Sequence, residues 1–371
     1  MSDRFEPNAD DIRHMRHALA LAARGLGRVA PNPAVGCLIV APDGRIVGRG
    51  WTAPGGRPHA ETRALEQAGE AARGASVYVT LEPCAHRGQT PPCADALIHA
   101  GIGRVVGTIE DPDPRVKGQG FARLREAGIA VTTNVLADDA AKLNEGFFSR
   151  VVRGRPLVTL KLAQSLDGRM ASASGESRWI TGEAARRFGH LLRARHDAIL
   201  VGIETALKDD PELTCRLPGL EAASPIRVVL DSRLRLPDTS KLARTAKDVP
   251  TLVFTTSRDN GAALKSRGVE VTKVTADARG QPDLTAVLHA LAARGLTRLL
   301  VEGGAIVHSA VLNRGLADRL EIFTAPMVLG AAGQASVAAL AALSLAESPL
   351  FSRERVRAFG PDMLESYAIR A

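Results

Sequence analysis

The sequence predicts a mixed α/β protein made of two consecutive domains, and three observations carry that reading. The chain has 371 residues, beyond the usual range of one domain. Short β-rich runs alternate with stretches of helical periodicity along nearly its whole length. The segment Phe147 to Pro156, FFSRVVRGRP, breaks the alternation with basic residues, a Gly and a Pro. It sets a boundary that makes residues 1–150 one domain and 151–371 the other.

In the first half, Asp10 to Gly25 places Ile12, Met15, Ala18, Leu19 and Ala22 at helical spacing between an acidic start and a Gly stop, which predicts an amphipathic helix. VGCLIVA and RIVGRGW flank the turn sequence Pro42-Asp43-Gly44 and predict a β-hairpin. A helix over His59 to Ala72, a buried strand over Val77 to Leu81, a helix over Ala94 to Ala100 and a strand over Arg104 to Ile109 follow. A last helix and strand lie near Phe121 to Ala127 and Ile129 to Val135. In the second half, strand-like runs at 158–163, 198–202, 226–231, 251–256, 269–274, 298–303 and 319–325 interleave with helical stretches, the pattern of a mostly parallel sheet. VRAFGPDMLESYAIR near the C-terminus reads as two strands around a Gly-Pro-Asp turn, an antiparallel edge added to that sheet.

The chemistry of the first half is concentrated in four residues. His59, Cys84 and Cys93 supply one imidazole and two thiolates, a donor set that leaves the fourth tetrahedral position of a zinc ion open to water. Glu61 is a carboxylate beside the set rather than a member of it. It can move protons between that water and a substrate, the division of labour in zinc deaminases of nucleobases. Cys93 falls at a predicted helix start, where free N–H groups and the helix dipole favour thiolate, and His59 holds the equivalent place on its own helix. A lone His or Cys is more often a surface or core residue. All four in this order, with Pro83 directly before Cys84, outweigh that reading. Eight residues separate Cys84 from Cys93, where zinc deaminases in general have C-x-x-C. The insertion implies a branch with its own substrate loop.

NPAVGCLIV (32–40), PHAE (58–61), TLEPCAHRGQTPPC (80–93) and DPDPRVKGQG (111–120) closely resemble the deaminase half of the bifunctional riboflavin-biosynthesis deaminase-reductase family. The resemblance implies a cytidine-deaminase-like three-layer α/β/α fold, one zinc per chain on His59, Cys84 and Cys93, and Glu61 as proton shuttle. It implies hydrolytic removal of the 2-amino group of 2,5-diamino-6-(5-phosphoribosylamino)pyrimidin-4-one, with Asn32 and His86 as substrate-binding residues. Asn32, between Pro31 and Pro33, could equally be a turn former. Gln89 stands where relatives often carry a Lys or Arg suited to the substrate phosphate, and Arg87 is the nearby cation that could compensate.

LVEGGAIVHSAVLNRG reads as a strand running through Gly303-Gly304 into a helix whose free N–H groups suit a phosphate. Such a connection is about as often a plain tight turn. KLAQSLDGRMASASGESRWITG (161–182) and DDPELTCR (209–216) resemble the reductase half of the same family, with its dihydrofolate-reductase-like α/β fold. That resemblance implies reduction of the ribosyl side chain to a ribityl chain, NADPH giving hydride to the anomeric carbon of an opened imine, to form 5-amino-6-(5-phosphoribitylamino)uracil. Residue by residue, it makes Lys161 and Glu302 catalytic. Ser177, Arg193, Leu213, Arg216 and again Glu302 would contact substrate. Ala163, Trp179, Thr205, Asp209 and Ser232 would line the nucleotide site with Gly304, Ala305, Ile306, Val307, His308, Ser309 and Ala310. The plain alternatives are a snorkelling Lys161, a Glu302 stabilised by a helix dipole, and a core Trp179. Ser232 and Arg233, after the run IRVVLD, suit a 2′-phosphate.

The formal charge of +8 permits a nucleic-acid partner, but a sugar phosphate and NADPH already account for basic clefts. With 4% aromatic residues, stacking platforms for single strands are sparse, so no nucleic acid is expected. Two of only four cysteines are claimed by zinc, which suits a reducing compartment. No apolar run approaches 18 residues and MSDRFEPNADD has no signal-peptide pattern, so the expected location is the cytoplasm, without membrane contact. A homo-oligomer is left open. The main rival is a nucleobase or tRNA deaminase with a non-redox ligand-binding C-terminal domain. A zinc-stabilised scaffold is the third reading, weakened because structural zinc normally takes four protein ligands.

Overall fold

The computed structural model describes residues 7–86, 91–114, 116–342 and 344–370. The chain forms two compact units, Met1–Gly154 and Arg155–Ala371.

The first unit runs α1 (Ala9–Ala22), β1 (Gly36–Val40), β2 (Ile46–Trp51), α2 (Ala60–Ala68), β3 (Ser76–Val79), α3 (Cys93–His99), β4 (Arg104–Gly107), α4 (Gln119–Glu126), β5 (Ala130–Thr132), α5 (Ala137–Leu143) and α6 (Glu145–Arg153). Its sheet has the order β2-β1-β3-β4-β5, antiparallel on either side of β1 and parallel from β3 to β5. Strand alternation sends Cys37, Ile39, Val77 and Val79 into one buried cluster with Ala60, Ala64, Leu97 and Leu124 of α2, α3 and α4. Leu38, Val40, Tyr78 and Val106 join Met15 and Ala18 of α1 and Ala140 of α5 on the other side. The result is a three-layer α/β/α unit.

Two glycines set how closely α2 lies on the sheet. A Cβ on Gly50 would fall 1.9 Å from the Ala60 carbonyl oxygen, and one on Gly48 would fall 2.3 Å from that of Ala64. Backbone therefore rests on backbone at the start of α2, next to His59 and Glu61. The basic segment at the expected boundary is not a linker. It is mostly helix α6, which buries Phe147 and Ser149, and the side chain of Asn144 both accepts from the Ala34 N–H at 2.9 Å and donates to the Ala34 carbonyl at 3.0 Å. The exposed face of α6 carries Val152 as well as Arg153, which hid the amphipathic pattern.

The second unit runs β6 (Leu157–Ser165), β7 (Arg169–Ala171), α7 (Glu183–Ala194), β8 (Ala198–Gly202), α8 (Ile203–Asp209), β9 (Ile226–Leu230), α9 (Lys241–Arg244), β10 (Thr251–Thr255), α10 (Ala262–Ser266), β11 (Glu270–Lys273), α11 (Leu284–Ala293), β12 (Arg298–Val301), α12 (Ala305–Asn313), β13 (Arg319–Ala325), β14 (Gln334–Ala335), β15 (Phe351–Phe359) and β16 (Asp362–Ile369). Nine strands order as β11-β10-β9-β8-β12-β6-β13-β16-β15. They are parallel from β11 to β13, and β16 and β15 close the sheet as the antiparallel edge that the C-terminal pattern predicts. Helices α7 to α10 cover one face and α11 and α12 the other. The β7–β14 ribbon was not predicted, being too short to show a period.

Among the described residues no helix is long and apolar enough to cross a membrane.

Gly50→Ala is expected to push the start of α2 off the hairpin, since the added methyl meets backbone that cannot rotate away. Overpacking of this kind costs roughly 1–3 kcal/mol. The variant should show a lower unfolding midpoint and reduced zinc content by elemental analysis; wild-type values of both would mean that α2 does not depend on this contact.

Candidate active sites

In the first unit, His59 is the N-cap residue of α2, Glu61 lies in the first turn of that helix and Cys93 opens α3. The His59 Nδ1 atom is 3.3 Å from Cys93 Sγ and 3.7 Å from Cys84 Sγ, and all three ligand atoms lie within 4.8 Å of one another. Tetrahedral zinc bonded to one nitrogen and two sulfurs separates such atoms by about 3.6 Å, so the set fits that ion. The two thiols share a proton: hydrogen bonding from Cys93 holds Cys84 at about 4, and Cys93, keeping the proton and buried, is pushed well above its ordinary 9.0. Zinc held by these residues would displace that proton and leave both sulfurs as thiolates.

Glu61 is 3% exposed, and burial, then the Cys84 charge, push its carboxyl up. Around it lies a cavity of about 470 Å³ that also exposes Asn32, Arg57, His86 and Arg150. The Asn32 amide nitrogen donates to the Gly56 carbonyl at 2.8 Å, which ties two segments of the cavity wall together and leaves the amide oxygen for a ligand. His86 Nδ1 is buried with no hydrogen-bond partner among the described residues. Arg87 and Gln89 lie outside the described residues.

Sequence reasoning missed Glu82 and Asp111. The buried Glu82 carboxylate accepts from the backbone N–H groups of Asp111, Gly118, Gly120 and Phe121 at 3.1, 2.9, 2.8 and 3.3 Å. It thereby ties the strand end carrying Cys84 to the DPDPRVKGQG segment. Asp111 lines the cavity, and burial raises its carboxyl to about 6. The signal available in the sequence was the pair of acidic residues inside otherwise structural motifs.

The second unit has its own cavity, of about 280 Å³. Lys161 on β6 and Glu302 after β12 meet there because those strands are parallel neighbours. Glu302 accepts from Arg193 Nε at 2.8 Å and Nη2 at 2.9 Å, and Lys161 Nζ is 3.8 Å away. Burial alone would raise the Glu302 carboxyl, but Arg193 and Lys161 overcome it and hold the group at about 2. Glu302 is therefore an acceptor that stays ionised, unsuited to supplying a proton.

Ala163, Ser177, Trp179, Arg216 and His308 line the same cavity. Trp179 is 66% exposed at its rim with Arg186 stacked at 4.6 Å, so it is no core residue. Leu213 is buried in the core cluster beside α7, so only its backbone can reach a ligand. Thr205 begins α8 beside Gly304, where an added Cβ would lie 3.3 Å from its hydroxyl. Ser232 follows β9, and its carbonyl accepts from Thr255 and Thr256. The Asp209 carbonyl accepts from Arg178. Because β9, β8, β12 and β6 are successive parallel neighbours, Ser232, Thr205 and Gly304 follow the C-terminal ends of the first three and Ala163 lies within β6 two residues before its end, on the side where open α/β sheets bind ligands. Along α12, Ala305 and Ile306 form the more open first turn. Val307 and Ala310 pack against the core, His308 Nδ1 donates to the Ser336 carbonyl at 3.0 Å, and Ser309 bonds back to Ile306 O. Ile306 is 69% exposed.

Residues 8–109 match the family described as the cytidine and deoxycytidylate deaminase zinc-binding region, and residues 156–364 match the RibD C-terminal domain. The riboflavin biosynthesis protein RibD of Aquifex aeolicus is 41% identical over 95% of this chain and 97% of its own length, and that of Escherichia coli is 41% identical over 95% and 98%. A solved structure of Acinetobacter baumannii RibD superposes with a TM-score of 0.87 at 40% identity, covering 97% of this chain and 99% of that one. A Thermotoga maritima structure described as a diaminohydroxyphosphoribosylaminopyrimidine deaminase/5-amino-6-(5-phosphoribosylamino)uracil reductase gives 0.85 at 36% identity, with coverage of 97% and 99%.

The Glu302 pairing carries a pH signature. Its folded-state value of about 2 lies below the ordinary 4.5, so the ionised group stabilises the second unit above that ordinary value and the contribution is lost as pH falls through the folded one. The stability difference between wild type and Glu302→Gln, from chemical unfolding, should shrink steadily between those two pH values; a constant difference would contradict the ionised pair.

Proposed function

The chain belongs to the bifunctional riboflavin-biosynthesis deaminase-reductase family, and from that premise we propose which residues carry each reaction and on what substrate. It is an enzyme with a zinc-dependent deaminase half and an NADPH-dependent reductase half. The proposed substrates are 2,5-diamino-6-(5-phosphoribosylamino)pyrimidin-4-one and then its deaminated uracil product. The observation that carries the first assignment is the three-ligand set facing a buried carboxylate within one cavity. No fourth protein ligand joins the set among the described residues, which separates it from a scaffold zinc.

In the deaminase half, His59, Cys84 and Cys93 would hold zinc, which supplies Lewis acidity toward a water at its open position. Glu61 takes the water proton on its carboxylate and returns it to the departing amino nitrogen. Its burial suits both steps, because a raised carboxyl value makes it a better base and still leaves it able to release the proton. Asn32 and His86 would orient the pyrimidine.

In the reductase half, NADPH, when bound, would supply the hydride for the anomeric carbon. Glu302, kept ionised by Arg193, would accept from a sugar hydroxyl. Lys161, the looser partner of the cluster, is the group that can deliver the proton accompanying sugar-ring opening. Ser177, Arg216 and the Leu213 backbone would contact the same substrate. Ala163, Trp179, Thr205, Asp209, Ser232 and the Gly304–Ala310 turn and helix would contact the nucleotide. Four free cysteines, two of them zinc ligands, support a cytoplasmic location.

Glu61→Gln should retain about one zinc per chain and lose deamination, yet still reduce supplied deaminated substrate, whereas Cys84→Ala should lose metal and deamination together. Elemental analysis beside two separate assays reads this out, and a zinc-free Glu61→Gln with a metal-loaded Cys84→Ala would reverse the ligand assignment. Arg233→Ala should narrow the preference for NADPH over NADH. An unchanged ratio of the two kcat/KM values would remove Arg233 from 2′-phosphate recognition.

A further inference from the structure

The reductase cavity contains a histidine to which none of the roles above applies. His190 lies on α7 one turn before Arg193, so both side chains leave the same helical face, and both line the cavity. Its Nδ1 sits 3.1 Å from the Thr214 carbonyl oxygen and 3.3 Å from the Arg216 backbone nitrogen. The Thr214 carbonyl already has a charged donor, Arg193 Nη1 at 3.0 Å. The Arg216 N–H also points at Nδ1, so that nitrogen is held by the 214–216 backbone in either tautomer, donating to the Thr214 carbonyl or accepting from the Arg216 N–H, and Nε2 is the ring nitrogen left for a ligand. Burial, then the charges of Arg193 and Arg216, hold the imidazole below its ordinary value, so the ring is neutral.

We propose that His190 contacts the substrate of the reductase, its Nε2 hydrogen-bonding to a hydroxyl of the sugar-phosphate side chain while Nδ1 is held by the Thr214 and Arg216 backbone. The proposal rests on the reading of the second unit as a ribosylaminouracil reductase. The sugar-phosphate is favoured over the dinucleotide because His190 shares its end of the cavity with Arg193, Glu302 and Arg216. Of the residues assigned to the nucleotide, Ala163, Trp179 and His308 line this cavity too, whereas Thr205, Asp209 and Ser232 do not, so the nucleotide extends beyond it and the Arg193–Glu302–Arg216 cluster is left to the sugar-phosphate.

Two substitutions separate the two ring nitrogens. In the full-length protein, His190→Asn places an acceptor near the Nδ1 position and no donor at Nε2, whereas His190→Gln reaches the Nε2 position with an amide N–H. Loss of one such hydrogen bond should raise the KM for the deaminated pyrimidine roughly 5-fold to 10-fold in His190→Asn. The KM for NADPH should stay within about 2-fold, and His190→Gln should recover most of the lost affinity. Unfolding midpoints check that each variant is folded; both replacements are polar and no larger than His, so an unfolded His190→Ala leaves the comparison intact. A wild-type-like His190→Asn beside an impaired His190→Gln would overturn the contact and leave only a grip on Arg216. Unchanged kinetics in both, or an equal rise in both KM values, would overturn it as well. A wild-type enzyme that failed to oxidise NADPH with the deaminated pyrimidine would sink the reductase reading itself, and this proposal with it, a result distinguishable because it appears before any variant is compared.

Discussion

The first unit depends on a buried carboxylate that is bonded to backbone. Glu82 accepts four N–H groups drawn from Asp111 to Phe121, and it stands two residues before Cys84. Gly120 lies so close to that strand end that a Cβ would come within 1.9 Å of the Pro83 carbonyl oxygen. Cys84 is thus held by a segment distant in sequence, while His59 and Cys93 are held by the starts of two helices. Three independent supports fix three donor atoms at the spacing a tetrahedral ion requires. Outer interactions of this kind orient ligands before metal arrives, which lowers the ordering cost of binding.

The second unit solves a different electrostatic problem. Its cavity needs a carboxylate that remains charged out of water, and the bidentate Arg193 contact provides it at both oxygens. The attraction outweighs the cost of burial for the ionised form of Glu302, although an apolar pair of similar volume could be as stable, and the contact fixes orientation. Arg227 shows the other way to bury a charge. It is fully buried and donates to the carbonyls of Glu212, Leu242, Thr245 and Val249 and to the Thr245 hydroxyl, and burial lowers it to about 10. The cation near the reaction is paired with a carboxylate, and the cation under the sheet is dispersed over neutral dipoles.

Legibility in the sequence followed the range of the interaction. The hairpin around Asp43, the helix beginning after His59 and strand β13 could be read because alternation, turn chemistry and capping act over a few residues. The donor set could be read because metal chemistry restricts residue type as well as order. Asn144 and Arg227 could not, since each acts on backbone groups brought to it by the fold and nothing in their neighbours marks them, and Glu82 stood inside a motif whose sequence does not show the four distant N–H groups it holds. Helix α6 was hidden because Val152 lies on its outer face and Arg150 lines the cavity, although Phe147 and Ser149 lie at buried positions. Leu213 shows the limit of transfer by motif: the position matched, but its side chain belongs to the core.

The place of β6 in its sheet has a consequence for synthesis. It is the first strand of the second unit to leave a ribosome, yet its partners are β12 and β13, beginning at Arg298 and Arg319. The first unit finishes its sheet at Thr132 and its last helix at Arg153, so a folded head can emerge while the strand carrying Lys161 still has neither neighbour. Parallel pairing over such a separation is slow to nucleate. In the interval LVTLKL is an exposed apolar strand on a nascent chain, and the protein's exposure to misassembly is concentrated between the translation of Leu157 and that of Arg298.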